Sequence, residues 1–184
     1  MKFDYELTGI GWAEVNIEIQ DKIYFSSPSY LSEPLVDLLE GLLSIIPGCV
    51  PDDELKTKNT FKWFQEPAVD KWTLELKKDF NLKILIESFE DEFTCNGKLE
   101  FDVTCNLLDF LNEFIKSIEQ LLIKHGIVGY KNTWYGQEFP ISSYLRLKYY
   151  LNSKTAYPTQ KDLEMGLYKS SLKQDIDSIL DLLK

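Results

Sequence analysis

Trp12-Ala13-Glu14-Val15-Asn16-Ile17-Glu18-Ile19-Gln20 decides the fold class. Its odd positions from 13 to 19 are apolar and its even positions polar. That period of two marks a strand with one face buried and one in water. Toward the N-terminus, Phe3-Asp4-Tyr5-Glu6-Leu7 shows the same alternation, and Gly9 and Gly11 break it with a hairpin or a sharp bend. Downstream, Asp21-Lys22 turns the chain into a third short strand, Ile23-Tyr24-Phe25.

Ser32-Glu33-Pro34 then opens a helix, with Ser32 as its cap and proline in the first turn, where a missing N–H costs nothing. Leu35, Leu38, Leu39, Leu42, Leu43 and Ile46 form one apolar stripe at helical spacing, and Pro47-Gly48 stops it. Residues 49–59 make a polar connection. Strands follow at Phe61-Lys62-Trp63-Phe64, at Trp72, Leu74 and Leu76, at Leu82, Ile84 and Ile86, and at Leu99, Phe101, Val103 and Cys105. Asn96-Gly97 carries the strongest hairpin signal, because both residues tolerate the positive φ of a tight turn. A two-residue turn there sets Phe101 opposite Glu92 and Val103 opposite Glu90. A bulge near Glu90-Asp91-Glu92, or a three-residue loop, is expected to return Phe89 and Phe93 to the apolar side.

Asn106 caps the main helix, with Asp109 at its third position, and Leu107, Leu108, Leu111, Phe114, Ile115, Ile118, Leu121 and Leu122 give it a wide apolar face up to Gly126. Further helices are expected over about 140–152, over 159–167 behind Thr159, and over 171–183 behind Ser171. The last is expected to bury Leu172, Ile176, Ile179, Leu180 and Leu183. This order predicts an α+β fold: an antiparallel meander sheet of about six or seven strands, helices packed on one face, and a helical C-terminal region. Residues 1–125 form the sheet-and-helix core. Residues 126–184 add an aromatic loop and C-terminal helices to the same domain.

Composition narrows the function. Of 184 residues, 44% are hydrophobic and 27% charged, which excludes disorder and low complexity. No apolar run approaches the roughly 20 residues of a spanning helix, so no membrane role is expected. Met1–Glu6 alternates polar and apolar residues, unlike a secretory leader. Cysteines at 49, 95 and 105 are odd in number and form no C-x-x-C, so neither a disulfide framework nor a zinc site is indicated, and a reducing cytoplasmic setting is expected. The formal charge is −10, and Arg146 is the single arginine. Nucleic-acid recognition relies on basic faces and arginine forks, so it is not expected. The charge is uneven: residues 1–140 hold 13 Lys against 25 Asp and Glu, whereas residues 141–173 hold six basic and two acidic side chains. Such an acidic body steers a basic partner toward itself.

Catalytic vocabulary is sparse. His125 is the one histidine, placed just before Gly126 on the apolar side of its helix, and no nucleophile, phosphate-loop or metal motif surrounds it. No cofactor, metal or catalytic residue is therefore assigned. The carboxylate runs Asp52-Asp53-Glu54 and Glu90-Asp91-Glu92 fall in connections. The outward row Glu14, Glu18, Glu75, Glu87, Glu100 and Asp102 interleaves with Lys62, Lys77 and Lys83, which suits cross-strand pairing. Glu66 stands apart, between Trp63-Phe64 and Pro67, where aromatic bulk can desolvate it. Residues 130–157 are rich in tyrosine and include Trp134 and Tyr135, side chains that anchor interfaces. The candidate binding residues are Trp134, Tyr135, Glu66 and Trp63.

Gly9-Ile10-Gly11-Trp12-Ala13-Glu14, Tyr30-Leu31-Ser32, Glu66-Pro67 with Trp72, and Gly126 with Tyr130, Trp134 and Phe139-Pro140 resemble a group of uncharacterised bacterial proteins of similar length. Those motifs are structural in type, so no functional residues carry over. In size, acidity and α+β pattern the chain is also similar to immunity proteins that neutralise secreted bacterial toxins. The expected function is non-enzymatic binding of a protein partner, a basic one, in the cytoplasm. The alternative is a small-ligand module or a carboxylate-dependent enzyme with a cleft between the sheet and the C-terminal helices.

Overall fold

The computed structural model describes residues 1–162 and 164–183. Its first three strands, β1 (Lys2–Gly9), β2 (Trp12–Ile19) and β3 (Lys22–Ser26), form an antiparallel sheet in that order. As the alternation requires, Phe3, Tyr5, Leu7, Ala13, Val15, Ile17, Ile19 and Tyr24 point inward and are buried. Gly11 makes the β1–β2 turn possible: its φ is +73°, and a Cβ there would meet the Tyr30 ring at 2.8 Å.

α1 (Pro34–Ile45) follows with the expected apolar stripe inside. Ser32 does not cap it. The residue before the helix is Glu33, without a side-chain cap, and Ser32 Oγ instead accepts the Phe64 N–H at 3.1 Å. β4 (Lys58–Phe64), β5 (Val69–Leu76), β6 (Asn81–Phe89) and β7 (Lys98–Asn106) make a second antiparallel sheet in sequence order.

The single sheet of six or seven strands is thus corrected to two sheets, of three and four strands. Their edges β3 and β7 come together through side chains and not through a backbone ladder. Lys22 Nζ donates to the Asp102 carbonyl at 2.8 Å, and Gln20 Nε2 to the Thr104 carbonyl at 3.4 Å. Neither the three-residue loop nor the bulge expected near Glu90-Asp91-Glu92 forms. Residues 90–97 form a longer loop in which Asp91 Oδ1 accepts from Phe93 N and Thr94 N. The register shift falls earlier on β6, where Ile86 faces Phe101 and Glu87 faces Leu99. Phe93 stays in solvent. Gly97 serves close packing, since the Phe89 ring lies 2.6 Å from where its Cβ would stand.

α2 (Leu107–Thr133) begins at Asn106, whose side chain accepts from Leu108 N and Asp109 N, and Gly126 interrupts its helical geometry with φ 64°. It packs on β1 and β7, while α1 packs on β4 and β5. Ser117 Oγ accepts the Tyr5 N–H at 2.7 Å, so α2 satisfies part of the free edge of β1. α3 (Ile141–Ser153) lies against both helices, held by Tyr144 and Lys148 on Glu119 and by Ser143 on Glu40. One buried cluster runs from Phe3 through Trp63 and Phe114 to Trp134 and Tyr150. Each leucine it removes from water contributes about 1.5–3 kcal/mol.

The end of the chain departs furthest from expectation. Where a helix over 159–167 was expected, β8 (Gln160–Lys161) pairs with β9 (Tyr168–Lys169) in a small hairpin, and Leu163 lies outside the described residues. α4 (Leu172–Leu180) starts at Ser171, whose Oγ accepts from Gln174 N. It buries no residue completely: Leu172, Ile176 and Leu180 are exposed, and of the expected set Ile179 is among those that pack on the core.

Candidate functional site

The outward faces of the first three strands bring together Lys2, Asp4, Glu6, Glu14, Asn16, Glu18, Ile23 and Phe25. In the register of β1 and β2, Glu6 stands directly opposite Glu14. Like charges in that position repel and weaken the pairing. The cations nearby compensate only in part. Lys2 Nζ lies 2.6 Å from Asp4, and Lys124 Nζ lies 3.7 Å from Glu6 with both side chains well exposed. Glu14 and Glu18 make no ion pair within 4 Å among the described residues. Beside these acids, β3 turns Ile23 (68% exposed) and Phe25 (60% exposed) to solvent. Asp4, Glu6, Glu14, Asn16, Lys2 and Phe25 enclose an open hollow of about 320 Å³. A cationic side chain entering it meets three carboxylates, one of them already paired with Lys2, and an aromatic wall.

Segment 27–32 connects this face to a second acidic and aromatic area. Ala13 N donates to the Pro28 carbonyl, Tyr30 N to the Gly11 carbonyl and Ser29 N to the Phe64 carbonyl. Tyr30 stacks on Tyr135, with ring centroids 4.3 Å apart and planes 25° apart. Beyond Phe64, Glu66 is exposed, with φ 45° before a cis Pro67. It lines a hollow of about 420 Å³ with Leu31, Pro67, Asp91, Glu92 and Phe93.

The four candidate binding residues therefore separate. Tyr135, 64% exposed, and Glu66 are at the surface, whereas Trp63 at 0% and Trp134 at 1% exposure lie in the core and present nothing to a partner. Trp63 packs on Trp72 at 4.2 Å, and Trp134 on Tyr130 at 6.5 Å. Glu66 lies at the surface, and the buried acid of this region is Asp70. Buried between the sheets, its Oδ2 accepts from Tyr24 Oη, from Ser26 Oγ at 3.1 Å and from Gln65 Nε2 at 2.6 Å. Those donors clasp β3 to β5, a structural task. Burial and the Asp70 charge push the Tyr24 hydroxyl well above its ordinary range. The alternation signalled this: Asp70 is in phase with Trp72 and Leu74, both inward.

Asp37, in the first turn of α1, is pushed up to about 7 by burial and then by the Glu33 charge. It lies beside the buried Tyr5 and lines none of these hollows. Burial first, and then Lys124, lowers the His125 value. Among the described residues no His, Cys, Asp and Glu side chains cluster in a way that fits a metal ion, and no helix is long and apolar enough to cross a membrane. Compared with family models, with curated proteins and with solved structures, the chain matches none.

Proposed function

We propose that the protein is a non-enzymatic binding protein whose target is a basic protein, docked on the outer face of the first sheet. The observation that carries this reading is the Glu6–Glu14 pair, set in a hollow walled by Phe25. Folding alone gains nothing from two opposed carboxylates next to exposed aromatic and aliphatic side chains. A lysine or arginine from a partner removes the repulsion and covers the ring in one step. The Tyr30, Tyr135 and Glu66 area extends the same chemistry around segment 27–32. An immunity-type role, in which an acidic protein blocks a basic toxin, fits this arrangement, as it fits the size and charge of the chain. The cytoplasm is the compartment that suits three free cysteines.

The test pairs two charge reversals. Proteins retained by the wild type from the source cell at low salt are identified by mass, then offered to Glu6→Lys/Glu14→Lys and to Glu75→Lys/Glu87→Lys. A partner of this face loses roughly tenfold or more in affinity with the first variant and no more than about twofold with the second. Equal loss from both reduces the attraction to net charge and rejects the site.

A further inference from the structure

Charge is arranged in the reverse sense around the single arginine. Arg146 projects from α3 toward the 48–54 connection, where it donates from Nη2 to the Cys49 carbonyl. Among the described residues its guanidinium has no carboxylate within 4 Å, so most of its five donors are left unused. A half-buried guanidinium is costly unless an anion faces it.

The neighbours do not supply that anion. Burial pushes the Cys49 thiol up to about 11, so it stays neutral at pH 7. Asp175 lines the smaller hollow beside Arg146, but its oxygens are turned to other donors: Oδ1 accepts from Tyr157 Oη at 2.6 Å and Oδ2 from Ser170 Oγ at 2.9 Å. Glu54 lines the larger hollow with Arg146, and among the described residues the two form no ion pair within 4 Å.

Two hollows meet here, of about 490 Å³ and 170 Å³, and Arg146, Tyr157 and Thr159 line both. The larger has the volume of an ordinary small-molecule site. Its other walls include Val50, Pro51 and Tyr168. Lys161 Nζ sits 5.2 Å from the Tyr168 ring centroid, outside the lining itself. The surrounding stretch, 141–173, is also the basic part of the chain.

We propose that this cleft binds a small organic oxyanion, with its charged head on Arg146 and the Thr159 hydroxyl and its apolar body against Val50, Pro51 and Tyr168. The site is independent of the acidic face and recognises the opposite charge.

A single arginine gives the experiment an unambiguous reporter. In the ¹⁵N-labelled full chain, one side-chain Nε–H resonance belongs to Arg146. It is followed during titration with sodium benzoate and with inorganic phosphate, at constant ionic strength set by chloride. The proposal expects a saturating shift with at least one of them, benzoate identifying a carboxylate head and phosphate a phosphoryl head. Arg146→Gln weakens binding at least roughly tenfold, read on the backbone amides of Thr159 and Tyr168, and Thr159→Val weakens it by a smaller factor. If Arg146→Gln fails to fold, Arg146→Lys replaces it, keeping the charge and losing the fork, with a several-fold loss expected. A shift that stays linear for both anions, or an affinity unchanged by the arginine substitution, overturns the proposal.

Discussion

The two sheets share one alternation inside and differ outside. On the second sheet every outward acid has a lysine: Lys71 lies 2.9 Å from Glu87, Lys77 2.6 Å from Glu75, Lys83 3.3 Å from Asp102 and Lys98 2.7 Å from Glu100. Lys71 and Glu87, and Glu75 and Lys83, are direct cross-strand partners. That face is arranged for stability in water. On the first sheet Lys2 faces Glu18, but Glu6 faces Glu14, and the neighbouring outward residues of β3 are Ile23 and Phe25. Repulsion together with exposed apolar area is what supports the proposal that this face is a docking surface. The contrast separates an outward row of acids that the sequence presents as one set.

The largest test concerns what joins the sheets. Asp70→Ala removes the acceptor shared by Tyr24, Ser26 and Gln65 and leaves their donors buried. We expect a loss of roughly 3 kcal/mol in urea unfolding. A loss under about 1 kcal/mol means that the clasp does not hold the sheets together. Next comes pH. The folded value of Asp37 lies above its ordinary 3.8, at about 7. The fold therefore binds this proton more tightly than the unfolded chain does. Its contribution is complete below the ordinary carboxylate range and is lost as pH rises through about 7. Wild type should lose roughly 1–2 kcal/mol between pH 5 and pH 8, allowing for solvent at the partly exposed carboxyl, and Asp37→Asn should flatten that slope. Here the charge is opposed by burial, whereas at Glu14 it is opposed by another carboxylate. Lys71→Gln on the second sheet should then cost about 0.2–1 kcal/mol, while Glu14→Gln on the first should add a similar amount.

Much of the framework was legible. The alternation at 13–19 put Ala13, Val15, Ile17 and Ile19 inside, and Asn106 and Ser171 cap the helices that they precede. Where reading failed, a local signal lost to a distant neighbour. Asn96-Gly97 has the residues of a tight turn, but Gly97 is required by the Phe89 ring packed against it. Ser32 has the chemistry of a cap, but Phe64 N claims its hydroxyl. The stripe on α4 looked like a core face, yet only part of it finds the core. Of the four candidate binding residues, Tyr135 and Glu66 are exposed while Trp63 and Trp134 are buried, because tryptophan suits a core as well as an interface. The Glu6–Glu14 pair was hidden for a different reason. Each strand shows its own alternation, and only the hairpin register reveals which side chains face each other.

The reading of the first sheet stands or falls with the energy between those two carboxylates in the free protein. A double-mutant cycle on Glu6→Gln and Glu14→Gln, followed by urea unfolding at low ionic strength, measures it directly. The account predicts a repulsion of about 0.2–1 kcal/mol that fades as salt is added. A coupling of zero, or an attractive one, would show that the face is at rest without a partner and would contradict the account.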